Sequence, residues 1–456
     1  MKHYFGLDQD HFNQKKQQIP ITLDTSQLIN GHTLLCGMSG VGKSYQLRAM
    51  IASAQRSGIQ VEVFDPHDEL DIPGSKTAKY SEATRYGYNP LALNPDPHSG
   101  GVRKRINWLL TILNSTSRKL GPKQETALRY LLQDIYYLNG CYEDKPSSWG
   151  KKHITEAQRA AFLEQNNYAA LKQFYPTLGD LITYAERKIK ALYLGANSPA
   201  ITHLDKVNKM AAKLRRLVGQ LEKVSDDDEA MKLEEKLEDY KHDTISAYSD
   251  YVHSIETGRE FTDVIKYNSK DVMQSVFERL KNLDASGIFR PNPPPFGNAQ
   301  VRVHQMKSLS DDEQRMLVQL RLEELFRTRR DQPTVNDVQQ IVVIDEAHKF
   351  ADEEGDNLLN ILAKEGRKFG MGLWCASQSP THFSEDFLTN CGTTILLGIH
   401  TTYWDGACRK LKIDESILRF IKPHHVAALK FQRKAETNAR FQNVILSQPM
   451  PTQLHA

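Results

Sequence analysis

The sequence contains no apolar run approaching the roughly 18 residues needed to cross a bilayer, and its start, Met1-Lys2-His3-Tyr4-Phe5, has no apolar stretch of the kind a secretory signal requires. Membrane spanning and secretion are not expected; a cytoplasmic protein is, with any place at the inner membrane held through partners. An excess of one charge is also missing. The 59 Lys+Arg and 56 Asp+Glu leave a formal charge of +3, so no global field attracts nucleic acid, and contact with DNA has to come from a local patch or a pore lining. The five cysteines (Cys36, Cys141, Cys375, Cys391 and Cys408) form no C-x-x-C pair, which argues against a zinc site or a disulfide framework. Reduced, mostly buried thiols are expected. The 16 histidines show no metal-ligand spacing, no solenoid-type repeat is visible, and Tyr and Phe are scattered without a stacking pattern.

What is present is a chain of 456 residues, 39% hydrophobic and 25% charged, long enough for about three domains. Residues 1–30 are polar and are set apart as a short N-terminal extension. The apolar stretch His32 to Cys36 predicts a buried strand, followed by a Gly-rich turn, a helical pattern (Tyr45, Leu47, Met50, Ile51) and a second strand at Val61 to Asp65. Strand, turn, helix and strand make a βαβ unit. Over residues 95–297 apolar residues recur at helical spacing, which predicts one inserted all-α domain between a first core part, 31–94, and a second, 298–456. Within the insert, Leu204, Val207, Met210, Leu214, Leu217, Leu221 and Val224 mark a long amphipathic helix. Ser225 with Asp228 resembles a capping box opening a second helix, and a hairpin over 201–257 is expected. Strand-like runs return at Val301–Val303, Ile341–Asp345, Gly372–Ser377, Thr393–Ile399 and Val426–Phe431, with a helix from Asp312 to Arg330 after the first.

Chemistry concentrates in two motifs. Gly37-Met38-Ser39-Gly40-Val41-Gly42-Lys43-Ser44 fits G-x-x-x-x-G-K-[ST] between a predicted strand and a predicted helix. Its glycines let backbone N–H groups converge on phosphate, Lys43 reaches the β and γ phosphates, and Ser44 offers its hydroxyl to Mg²⁺. Gly37, Ser39, Gly40, Val41, Gly42, Lys43, Ser44 and Tyr45 are therefore the candidate ATP-binding residues. Ile341-Val342-Val343-Ile344-Asp345-Glu346 is an apolar strand ending in two carboxylates: Asp345 to hold Mg²⁺ together with Ser44, Glu346 to orient the attacking water. Asp345-Glu346-Ala347-His348 also spells a helicase signature, but 302 positions separate Lys43 from Asp345, too many for one compact helicase lobe. His348 is expected to pack beneath its strand. The basic clusters Arg103-Lys104-Arg105 and Arg327-Thr328-Arg329-Arg330 suit either phosphate contact or helix-end charge.

These motifs, with Val63-Phe64-Asp65-Pro66-His67-Asp68-Glu69, Tyr88-Asn89-Pro90-Leu91, Lys364 to Gly372 and Ala376-Ser377-Gln378-Ser379-Pro380, resemble the HerA/FtsK-type P-loop ATPases, and among them the conjugative-transfer ATPases and coupling proteins of type IV secretion. The resemblance spans about residues 30–445. It implies an α/β, RecA-like core with a mainly parallel sheet, a large all-α insertion after the second core strand, and a hexameric ring with ATP between subunits. It implies two further catalytic residues beside Lys43 and Glu346. Arg367 matches a position that could serve as an arginine finger to a neighbour, the alternative being an ion pair with Glu365 or Glu346. Gln378 matches a sensor glutamine, the alternative being a surface amide. Ser379 stands where the family commonly has arginine, and neither a β-barrel nor a membrane anchor is seen before the core, so recruitment is expected through a partner, such as a membrane-anchored secretion protein, or through the insert.

The expected function is an ATP-driven DNA translocase in conjugative transfer or DNA processing. The alternative is a type IV secretion assembly ATPase that moves proteins or pilus subunits without threading DNA, which the acidic stretch Asp226 to Asp239 suits. A nucleotide-dependent switch in phage defence is a third reading. The nucleotide motifs serve all three equally.

Overall fold

The strands that surround the nucleotide motifs are mostly apolar where they are buried, as strands covered on both faces are. The computed structural model describes residues 1–116, 119–194, 198–222, 224, 227–253, 270–351, 358–436 and 438–446. Eleven strands form one sheet: β1 (Lys2–Asp8), β2 (Pro20–Asp24), β3 (Thr33–Gly37), β4 (Gln60–Asp65), β5 (Lys76–Lys79), β6 (Val301–Gln305), β7 (Val335–Ile344), β8 (Phe369–Ser377), β9 (Thr393–Gly398), β10 (Val426–Phe431) and β11 (Gln442–Ile445). Their order is β2-β1-β11-β10-β9-β3-β8-β7-β4-β6-β5. The seven from β9 to β5 are parallel, and β10, β11, β1 and β2 continue antiparallel. Every residue of β3 and β9 is buried.

The chain separates into two compact units, Met1–Tyr88 with Ser286–Ala456, and Asn89–Ala285. The sheet lies in the first. The helix Lys43–Arg56 follows β3 and buries Leu47, Met50, Ile51 and Ala54, spaced so that they fall on one face; the three larger side chains contribute about 1.5–3 kcal/mol each. The helix Asp311–Arg330 opens with a capping box in which Ser310 and Glu313 satisfy each other's backbone N–H groups. Asp311, Asp312 and Glu313 in its first turn and Arg327, Arg329 and Arg330 in its last complement its dipole.

Two features differ from the sequence reading. Residues 1–30, set apart there as an extension, supply β1 and β2, and Phe5, Leu7, Ile21, Leu23 and Leu28 are buried; all but Leu7 share one hydrophobic cluster with Leu35 of β3. Lys2–Asp8 buries His3 and Asp8 along with Phe5 and Leu7, and its polar residues lower the mean hydropathy of the segment. The helical insertion follows not the second core strand directly but β5, a four-residue edge strand, Lys76-Thr77-Ala78-Lys79, of which only Ala78 is buried.

The second unit is helical. Val102–Thr116, Pro122–Leu138, Leu178–Leu194 and Lys270–Ala285 surround a core that includes Ile106, Leu110, Leu131, Leu132, Tyr136, Leu181, Met273 and Val276. Ser198–Leu221 and Asp227–His253 pack along each other, with Lys213 Nζ 5.2 Å from the centre of the Tyr240 ring. The expected cap residue Ser225 and the hairpin's end, 254–257, lie outside the described residues. No helix among the described residues is long and apolar enough to cross a membrane. The five cysteines are free, and all but Cys408 are buried.

Candidate active site

The turn after β3 is built by backbone that only glycine adopts cheaply: Gly40 has φ +80° and Gly42 φ +99°. Gly42 caps the helix that Lys43 opens, so loop amides and helix N-terminus face the same space. Ser39 and Gly40 are exposed, Val41 is buried, and Ser44 is half-buried on the first helical turn. Tyr45 is 73% exposed. Lys43 Nζ donates to the carbonyls of Gly37 at 2.8 Å and Met38 at 3.1 Å, folding the cation back over the loop. Met38 N donates to Gly398 O at 2.7 Å, tying the loop to the end of β9.

Since β3, β8 and β7 are parallel neighbours in that order, their carboxyl ends share one edge of the sheet. Asp345 emerges there from β7 and is 6% exposed. Burial pushes its carboxyl up to about 6, with Glu346 and Asp65 adding to the rise and Lys43 opposing it. Glu346 follows with φ 46°, ψ 43°, a left-handed backbone uncommon outside glycine, Asn and Asp. Its N–H donates to Asp345 Oδ1 at 3.0 Å. Glu346 Oε2 and His348 Nδ1 approach to 3.1 Å, but out of line, so both atoms are buried without a hydrogen bond. The nearby His348 holds Glu346 below the usual carboxylate range, against burial, with help from Lys43 and His67.

The structure thus brings together Gly37 to Tyr45, Asp345 and Glu346, and places Gln378 at the same edge, exposed, directly after β8. It does not bring Arg367 to them. Arg367 is exposed at the opposite end of β8, before Phe369; nine residues of strand separate the ends by about 25–30 Å. An ion pair with Glu346 in the same chain is therefore excluded, and none with Glu365 occurs among the described residues. The basic clusters are largely committed to the fold. Arg105 is buried, donating to Pro90 O and lying over Trp108; Lys104 donates to His98 O; Arg329 donates to Phe369 O.

Sequence reasoning assigned no role to three neighbours of the site. Asp65, fully buried at the end of β4, accepts from the N–H groups of His67 and Leu70. The turn Lys422–Val426 brings His424 Nδ1 within 3.3 Å of where a Cβ on Gly42 would lie. His382 meets His348. The first lay inside a motif quoted for the resemblance; the other two carry no local sequence signal.

A family profile described as the central domain of the helicase HerA matches residues 12–349. The chain belongs to the HerA central-domain family. A stretch of 63 residues is 41% identical to the DNA double-strand break repair helicase HerA of Pyrococcus furiosus and, at the same identity and length, to a probable helicase, MJECL08, of Methanocaldococcus jannaschii; it covers 13% of this chain and 11% and 12% of those proteins. The match thus spans about a tenth of each relative's length. This HerA-family chain also shares its fold with VirB4 of Thermoanaerobacter pseudethanolicus, at 14% identity over 99% of this chain and 97% of that one, TM-score 0.62. The plasmid coupling protein TrwB, solved with a non-hydrolysable ATP analogue, aligns at 11% identity over 99% and 95%, TM-score 0.50. The fold is mixed α/β, its sheet largely parallel, with a helical insertion, and the HerA-family chain is a P-loop NTPase by family.

The residues present fit a magnesium nucleotide. Lys43 has only loop carbonyls to exchange for phosphate oxygens, Asp345 is a buried carboxyl that a cation would ionise, and Glu346 Oε2 is a buried acceptor without a hydrogen bond.

Proposed function

We propose that this chain is an ATP-hydrolysing motor of the HerA class, working as a hexameric ring that translocates DNA in conjugative transfer or DNA processing. The observation that carries the reading is the convergence of Lys43, Asp345 and Glu346 at one edge of a sheet in a chain whose HerA-family match spans both motifs. Bound Mg²⁺, held by Ser44 and Asp345, supplies charge neutralisation on the β and γ phosphates. The amides of Gly37 to Ser44 cradle those phosphates, and Tyr45 lies at the mouth of the loop. Glu346 orients a water whose oxygen bonds to the γ-phosphorus as the bond to the β–γ bridging oxygen breaks; the electron pair leaves on ADP and the water's proton passes to Glu346. Gln378 reports the γ-phosphate to β8. Arg367, out of reach of its own chain's site, serves a neighbouring subunit as the finger.

The test is steady-state ATP hydrolysis without DNA, with single-stranded DNA and with duplex DNA, at low and at physiological salt. Strong stimulation by one DNA form is the expected result; hydrolysis indifferent to both contradicts DNA translocation. One observation favours a second reading, an assembly ATPase of type IV secretion acting with a membrane-anchored partner. Arg105, Lys104 and Arg329 already serve backbone carbonyls, leaving fewer free cations for phosphate. DNA-independent hydrolysis with binding to a secretion complex would establish that reading.

A further inference from the structure

The Glu346 carboxylate stands at the end of a chain of side-chain contacts that crosses from β7 to β8. Its backbone is left-handed, and its Oε2 is buried without a hydrogen bond. Next along the chain is His348, whose Nδ1 is 3.1 Å away. The His348 ring rests on that of His382, centroids 5.1 Å apart and planes at 45°. His382 Nδ1 in turn lies 3.1 Å from Ser377 Oγ. Ser377 is fully buried, the last residue of β8, and precedes Gln378.

The turn that carries His382 is held from several sides. Ser379 Oγ accepts from Thr381 N at 3.2 Å and shares a hydrogen bond with Thr381 Oγ1 at 2.8 Å. Lys410 Nζ donates to the carbonyls of Thr381 and Phe383, at 3.0 and 2.8 Å, on either side of His382. Tyr403 meets the His382 ring edge-on at 5.7 Å. A turn bound this tightly for a surface connection makes a firm support for a side chain that must not drift, and a functional group is held in productive geometry only by neighbours that are themselves fixed.

We propose that His382 is a positioning residue for hydrolysis, acting through His348 to hold the Glu346 carboxylate toward the attacking water and linking that carboxylate to the end of β8. It rests on the ATPase reading above and adds to it a path from the strand beside Gln378 to the base. The hydrogen bond and ring contacts of His382 go to Ser377, His348 and Tyr403 and not to the loop Gly37 to Ser44 or Asp345, so its removal is expected to act on turnover and leave nucleotide affinity alone.

The experiment compares the full chain with His382→Ala, His382→Asn and Glu346→Gln, measuring kcat for ATP, the Kd of a fluorescent ATP analogue and the thermal midpoint. His382→Ala is expected to lower kcat about tenfold with Kd changed less than about twofold. His382→Asn, whose amide can still reach Ser377 and touch His348, is expected to recover part of the loss. An unchanged kcat in His382→Ala overturns the proposal. So does a kcat loss that comes with an equal loss of affinity, or one that follows a fallen midpoint and is no smaller in His382→Asn. Hydrolysis by the unsubstituted chain that disappears in Glu346→Gln keeps the ATPase reading whatever His382 does; no hydrolysis by the unsubstituted chain overturns both.

Discussion

Glu62 and Asp345 are buried carboxylates on neighbouring strands, and their surroundings are opposite. Glu62 lies in the middle of β4, in register with Val342 of β7, with its side chain 2% exposed. His304 Nε2 and Arg321 Nε meet its Oε1 at 2.8 and 2.7 Å, and Arg302 approaches Oε2 at 3.8 Å. Burial alone would raise its pKa, but Arg321 and His304 outweigh burial and hold it at about 2. The Tyr80 hydroxyl lies 2.7 Å from His304 Nδ1, completing a satisfied cluster. Asp345, three positions beyond Val342, has no such partner, and burial pushes it up to about 6. A charge in mid-strand is reached by nothing but protein and has to be paired there. One at the carboxyl edge of a parallel sheet opens to the place where ligands bind, and leaving it unpaired keeps it available for a cation.

The sharpest way to break this contrast is Glu62→Ala. It leaves the buried Arg321 guanidinium with only its pair to Glu324 at 2.8 Å, and a loss of 3–5 kcal/mol, about that of a broken buried pair, is expected in urea denaturation; a loss below about 1 kcal/mol, the range of an exposed pair, would make the cluster incidental. Asp345→Asn should act in the other direction. Folded Asp345 holds its proton more tightly than the unfolded chain does, so without nucleotide the protein loses stability as pH rises from about 4 through about 6 and stays lower above that. At pH 7 the variant should be more stable than the parent by about 1–3 kcal/mol and unable to turn over ATP, while at pH 3.5 the two should unfold alike. An equal difference at both pH values would contradict the raised carboxyl. The smallest effect is expected at Lys349 and Asp311, 3.0 Å apart with Asp311 mostly exposed: Asp311→Asn should cost under about 1 kcal/mol and less at high salt.

Most of the parallel strands, and β10, were legible because buried strands leave apolar runs, and the loop Gly37 to Ser44 because its chemistry demands residue types at fixed spacing. Strands β1, β2, β5 and β11 were not. β1 mixes Lys2, His3 and Asp8 with Phe5 and Leu7, and β5 has one buried residue in four, so neither stands out from polar sequence. Site residues split the same way. Asp345 and Glu346 announce themselves at the end of an apolar run, whereas the meeting of His348 with His382, 34 positions later in the chain, depends on β7 and β8 being neighbours. Arg367 shows the converse: a motif named it, but only the direction of β8 reveals that it faces away from its own chain's nucleotide loop.

The most direct test of the account is turnover and nucleotide binding measured side by side in Glu346→Gln. With Asp345, Lys43 and the loop intact, the variant should bind a fluorescent ATP analogue with an affinity within about twofold of the parent while hydrolysis falls by about a thousandfold. Hydrolysis within about tenfold of the parent would show that the Glu346 carboxylate just after β7 is not the catalytic base and that the reaction is carried elsewhere.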